Sequence, residues 1–276
     1  MKVIPGFSSP MLSLRIAKEL NVKIAPVTYK RFPDGELYVR IEDRDDECIV
    51  VQSINSNDDI VALLLLFDAL RDCDVTVVIP YMGYARQDKV FIEGEAVSIR
   101  ALAKTIESYA DRVITVNIHS KEAESYFSKL KNIDAMPLIG EYYANRDLVM
   151  ISPDRGSLER VKVAARFAGC DYDYLEKRRI DAETVEIQPK SLDVEGKDVV
   201  IVDDIISTGG TVVEATKRLR ELGAKSVEVA CVHAVLAEFA AVRLICSGLK
   251  EIIATDTVEN VFSRISVASI IAEELS

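Results

Sequence analysis

Histidine and cysteine, the residue types that most often build a transition-metal centre, are scarce in this chain of 276 residues. His119 and His233 are the only histidines, which argues against a His-rich zinc site. The cysteines, Cys48, Cys73, Cys170, Cys231 and Cys246, are odd in number, scattered and without a CxxC pair. They read as reduced core thiols of a cytoplasmic protein. The longest apolar run, Ile60 to Phe67, is far too short to span a bilayer, so no membrane partner is expected. Met1-Lys-Val-Ile-Pro5 lacks the regions of a secretory leader, and export is not expected. Positive charge is outnumbered: 34 Lys and Arg stand against 45 Asp and Glu, a net charge of −11. Nucleic acid is therefore an unfavoured partner, although a local cationic pocket can still hold a small anion. What is present is a core: 49% hydrophobic and 29% charged residues exclude a disordered or disulfide-stapled chain.

Short β-branched runs alternate with helical patterns. Strands are expected at Ile24–Tyr29, Leu37–Ile41, Cys48–Ser53, Val75–Pro80, Arg112–Ile118, Leu148–Ser152, Asp171–Glu176, Val199–Val202, Ser226–His233 and Glu251–Thr255. Helices are expected at Asp58–Arg71, Ser98–Ala110, Ser157–Ala168, Gly210–Leu222 and Ala237–Cys246. In the fourth, Val212, Ala215, Leu219 and Leu222 recur at helical spacing. Strands apolar on both faces suit a parallel sheet covered by helices, so the expected class is α/β, doubly wound. Asp74-Val-Thr-Val-Val-Ile-Pro-Tyr81 and Asp198-Val-Val-Ile-Val-Asp-Asp204 each lead through a loop into a helix, which hints at two similar domains. A boundary near Ile139–Asp147 would divide the chain evenly.

The strongest local signal is Val199-Val-Ile-Val-Asp-Asp-Ile-Ile-Ser-Thr-Gly-Gly-Thr211. An apolar strand ends in two carboxylates, and a loop of hydroxyls and glycines then opens an amphipathic helix. Glycines let the backbone curl so that several N–H groups meet one anion, and the helix N-terminus adds partial positive charge. The carboxylates suit sugar hydroxyls or a divalent metal rather than the phosphate. The plainer alternative is a βα turn with an N-capping hydroxyl, but two carboxylates at the end of a buried strand are costly without partners.

This loop resembles the phosphoribosyl-diphosphate signature of the type I phosphoribosyltransferase fold. Other segments narrow the resemblance: Arg31-Phe-Pro-Asp-Gly-Glu36, Tyr81-Met-Gly-Tyr-Ala-Arg-Gln-Asp-Lys89, Asn117-Ile-His-Ser120, Ser152-Pro-Asp-Arg-Gly156 and Glu176-Lys-Arg-Arg179 are similar to segments of the ribose-phosphate pyrophosphokinases. The resemblance runs in order along essentially the whole chain. It implies an α/β fold of two tandem type I phosphoribosyltransferase-like domains with mainly parallel sheets. The expected division is 1–139, completed by 260–276, on the ATP side, and 140–259 on the ribose 5-phosphate side.

The reaction implied is transfer of the diphosphoryl group of Mg-ATP to ribose 5-phosphate. The resemblance implies that Phe32, Asp34, Gly35, Glu36, Arg86 and Gln87 bind ATP; the residues alone also allow a Pro-Asp-Gly turn and a solvated loop. It implies that His119 and Asp154 bind Mg2+, where a lone histidine and a helix N-cap are the competing readings. Lys177 and Arg179 are implied to be catalytic, on an arm that closes over phosphates; a solvated basic loop is the alternative. Arg179, Asp203, Asp204, Ser207, Thr208, Gly209, Gly210 and Thr211 are implied to bind ribose 5-phosphate. A homo-oligomer, at least a dimer, is also implied. Three departures stand out: Asn117 where the family usually has Asp, Val90 and Phe91 where further basic residues are common, and Ser207 where Asp is common. A phosphoribosyltransferase, a non-catalytic relative and a repressor are the rival readings.

Overall fold

The computed structural model describes residues 1–179 and 185–276, with side chains described outside 177–188. The chain forms two compact units, Met1–Asp134 with Thr257–Glu259 and Ser266–Ser276, and Ala135–Asp256 with Asn260–Ile265.

In the first unit the elements run β1 (Lys2–Pro5), α1 (Pro10–Glu19), β2 (Lys23–Ile24), β3 (Val27–Arg31), β4 (Leu37–Ile41), β5 (Glu47–Val51), α2 (Asn57–Ala69), β6 (Asp74–Ile79), α3 (Ser98–Glu107), β7 (Arg112–Val116), α4 (Lys121–Ser125) and β8 (Leu130–Ile133). A parallel sheet of order β2-β1-β5-β6-β7-β8 forms its centre. Val50, Val77, Ile79 and Val113 are fully buried beneath Leu66, Phe67 and Ile99, as strands apolar on both faces require. The run expected as one strand, Ile24–Tyr29, is two. Pro26 has no N–H to continue the ladder, so β2 stops beside β1 and the chain turns into the antiparallel β3–β4 hairpin.

The second unit contains α5 (Met136–Tyr142), β9 (Val149–Ser152), α6 (Leu158–Ala168), β10 (Asp171–Arg179), β11 (Val185–Pro189), β12 (Asp198–Ile206), α7 (Gly210–Glu221), β13 (Ser226–Ala234), α8 (Ala240–Cys246), β14 (Ile252–Thr255) and β15 (Ser263–Ile265). Its sheet has the order β11-β10-β9-β12-β13-β14-β15, parallel except for the antiparallel β10–β11 pair. The segment expected to hold the domain boundary carries the end of α5, where Gly140 packs against the backbone of Ala164 so closely that a Cβ would meet its carbonyl oxygen at 2.2 Å. The last helix, α9 (Ala268–Leu275), belongs to the first unit, whereas β15 completes the sheet of the second. Among the described residues no helix is long and apolar enough to cross a membrane.

Candidate active site

In open parallel sheets, ligands collect where strands end and helices begin. In the second unit β12 runs longer than expected, carrying Asp203 and Asp204 into the sheet edge before the chain turns. The turn, Ser207 to Gly209, leads directly into α7, where Gly210 and Thr211 form the first turn. Gly209 is the N-cap, with φ +76°, a left-handed conformation that glycine adopts without penalty. Among the described residues no side chain caps α7, and Thr208, Gly210 and Thr211 are exposed. The first-turn amides and three hydroxyls thus share one open end of a helix, the arrangement that suits a phosphate.

The two carboxylates have different surroundings. Asp204 is buried and pairs with Arg160 of α6 at 3.0 Å. Asp203 is partly buried; its Oδ1 accepts the Ser157 hydroxyl at 3.0 Å and the Asp204 N–H at 2.9 Å. Burial first, and then the Asp204 charge, pushes its pKa up to about 7. Asp154 follows β9, the strand adjacent to β12. Its Oδ1 accepts the N–H groups of Gly156 at 2.7 Å and Ser157 at 3.0 Å. The N-cap reading of Asp154 therefore fails: Ser157 is the N-cap of α6, and Asp154 instead closes the turn before it with one carboxylate oxygen. Ser157 links Asp154 to Asp203 along one sheet edge, a connection with no local sequence signal.

In the first unit the first turn of α2 organises the expected nucleotide residues. Ser56 and Asp59 form a capping box at its start. Asp58 pairs with Arg31 at 2.6 Å, and Asn57 accepts the Tyr84 hydroxyl. One helix start thereby holds the β3–β4 hairpin and the loop after β6. In the hairpin turn Gly35 has φ +99°, Arg31 donates to its carbonyl at 2.9 Å, and Asp34 accepts the Glu36 N–H at 3.2 Å. Asp34 thus shapes the turn, while Phe32, Asp34 and Glu36 stay exposed. The Phe32 ring meets Tyr38 edge-on, with centroids 6.2 Å apart.

Arg86 is exposed and unpaired among the described residues. Gln87 spends its amide N–H groups inside the loop, on the Lys89 carbonyl at 3.1 Å and on Glu95 at 3.3 Å. Glu95, absent from the expected set, also accepts the Phe91 and Ile92 N–H groups, and these two bonds hold its carboxyl below the usual range. Val90 and Phe91 therefore lie in a turn closed by a carboxylate. His119 follows β7, next to Ser120, whose hydroxyl caps α4 and donates to Asp88 at 2.5 Å. Asn117 has φ +40° and donates its amide to Asp134 at 2.8 Å. Asn tolerates left-handed backbone, and an ionised Asp there could not donate. The side chains of Lys177 and Arg179, near the end of β10, lie outside the described residues.

Among the described residues no group of three or more His, Cys, Asp or Glu side chains is arranged to hold a metal ion. Asp154, with Oδ1 committed to two N–H groups, has its second carboxylate oxygen as a hard donor of the kind magnesium takes alongside waters and substrate phosphates.

Residues 1–109 match the family model for the N-terminal domain of ribose phosphate pyrophosphokinase, and residues 129–264 match that for the phosphoribosyl transferase domain. Ribose-phosphate pyrophosphokinase 2 of Archaeoglobus fulgidus is 64% identical over 275 residues, covering 100% of both chains. The ribose-phosphate pyrophosphokinase of Methanosarcina mazei is 47% identical over 100% of this chain and 95% of its own. The crystal structure of phosphoribosylpyrophosphate synthetase from Mycobacterium smegmatis superposes with a TM-score of 0.83 at 30% identity, covering 99% of this chain and 97% of that one.

Proposed function

The chain belongs to the ribose-phosphate pyrophosphokinase family, and from that premise we propose that it transfers the diphosphoryl group of ATP to the anomeric hydroxyl of ribose 5-phosphate. The products are 5-phosphoribosyl 1-diphosphate and AMP, for nucleotide biosynthesis. The observation that carries the reading is the uncapped start of α7 beside Asp203, with a left-handed Gly209 between them.

Ser207, Thr208, Gly209, Gly210 and Thr211 hold the 5-phosphate through amides and hydroxyls. Asp203, oriented by Ser157, accepts hydrogen bonds from ribose hydroxyls; Asp204, paired with Arg160, keeps the strand end in place. Phe32 flanks the adenine, Asp34, Gly35 and Glu36 shape and line the hairpin turn beside it, and Arg86 takes phosphate oxygens. Gln87 contributes through the loop that it closes. Lys177 and Arg179 neutralise charge on the group in transfer, and Arg179 also meets the sugar phosphate. Asp154, with His119 associated, would hold magnesium, which when bound would supply charge neutralisation for the polyphosphate. Positioning and electrostatics provide most of the rate in such transfers, with no covalent enzyme intermediate. The protein works in the cytoplasm as a homo-oligomer, at least a dimer.

The test is a coupled assay for AMP with ATP and ribose 5-phosphate, with and without magnesium. AMP formation that requires both substrates and the metal is expected. Absence of AMP at every magnesium concentration contradicts the proposal.

A further inference from the structure

The phosphate loop is restrained from outside by a residue that none of its own motifs contains. Arg243, on α8, donates from Nη2 to the Thr208 carbonyl at 2.8 Å, and from Nη1 to the Glu238 carbonyl. Thr208 and Gly209 share one peptide unit, and the described chain has no cis peptide bonds. In a planar trans peptide the C=O and the following N–H point in opposite directions. Holding the Thr208 carbonyl on the α8 side therefore aims the Gly209 N–H away from α8. That N–H has no hydrogen-bond partner among the described residues.

Two further features make the restraint specific. A Cβ on Gly209 would meet Leu244, the neighbour of Arg243, at 3.3 Å, so α8 also packs on the turn itself. The segment leading into α8 holds three non-glycine residues in left-handed backbone: Leu236 at φ 51°, Glu238 at 53° and Phe239 at 59°. Such backbone persists only where its surroundings over-determine it. Leu236 is pinned by its N–H to the Ile206 carbonyl at 3.0 Å, and Glu238 by Arg243. One guanidinium thus clasps a strained loop and the phosphate loop together.

We infer that Arg243 is a positioning residue for ribose 5-phosphate: its clasp on the Thr208 carbonyl presets the Gly209 N–H toward the 5-phosphate. The inference rests on the assignment of 207–211 to that phosphate. A flexible loop would have to be ordered at each binding event, which weakens affinity for the sugar phosphate but not for ATP.

The test is initial-rate kinetics with both substrates varied, on the wild type, Arg243→Gln, Arg243→Lys and Gly209→Ala, with thermal melting of each. For Arg243→Gln the KM for ribose 5-phosphate is expected to rise about tenfold, with the KM for ATP within about twofold and kcat reduced no more than about threefold. Arg243→Lys, which keeps one donor, is expected to recover part of that loss. It carries the test by itself, with a raised KM for ribose 5-phosphate alone, if the glutamine variant does not fold. A KM for ribose 5-phosphate that stays at the wild-type value in Arg243→Gln, or both KM values rising in parallel, overturns the inference. Gly209→Ala separates the two levels. If it raises the KM for ribose 5-phosphate while Arg243→Gln does not, the clasp alone fails; if it too leaves that KM unchanged, the assignment of the loop fails.

Discussion

Asp203 is a side chain whose chemistry departs far from that of a free carboxylate. Its pKa is pushed up to about 7 by burial and by Asp204. A carboxyl in an unfolded chain titrates near ~4, so the folded state holds this proton more tightly. The resulting stabilisation is full below about pH 4 and is lost as the pH rises through about 7. Asp203→Asn should therefore flatten the fall in stability between these limits and stabilise the protein most above about pH 7, as thermal melting across a pH series would show. An unchanged slope contradicts the assignment. Function asks for the opposite: Asp203→Ala is expected chiefly to weaken ribose 5-phosphate, and an effect confined to ATP would tell against the site. For Lys177→Ala, turnover should fall by orders of magnitude while ATP binding changes little. Near-normal turnover would remove Lys177 from the mechanism.

Helix starts do most of the positioning, in opposite ways. The start of α2 is closed by a capping box and spends its first turn on Arg31 and Tyr84, whereas the start of α7 is left open. Ser56→Ala is expected to cost about 1 kcal/mol in stability and to loosen the hairpin turn, raising the KM for ATP and leaving that for ribose 5-phosphate unchanged. Gly83 marks the other support of this region, because a Cβ there would lie 2.2 Å from the Ile54 carbonyl oxygen. Gly83→Ala should destabilise the protein by about 2 kcal/mol or more, measured by denaturant unfolding. The α7 loop was legible in sequence because its glycines, hydroxyls and carboxylates are consecutive and each has a local physical reason. The α2 supports were not legible, since Arg31–Asp58 and Tyr84–Asn57 join residues far apart in sequence. Short elements escaped for a related reason: β1, α4, β8 and β15 contain too few residues to show a period.

Across the whole molecule, both halves share a plan of mainly parallel strands connected through helices, which the repeated strand-loop-helix pattern anticipated. The return of the C-terminus was harder to place, because the chain leaves the second unit, rejoins it for β15 and leaves again. Within the first unit Val267 and Ile271 are fully buried, and Glu274 pairs with Arg112 and, at 3.2 Å, with Lys131. Removing residues 266–276 should therefore destabilise this unit by about 3 kcal/mol or more. Limited proteolysis would show it as cleavage within 1–134; a truncated chain as resistant as the full one would contradict that packing. The most direct test of the central claim follows the β-phosphorus itself. When ATP labelled at the β-phosphate is incubated with ribose 5-phosphate and magnesium, the label is predicted to leave the nucleotide and appear in the sugar product, with AMP formed in equal amount. Label that remains in ATP, or that emerges in ADP or free diphosphate, would contradict the account.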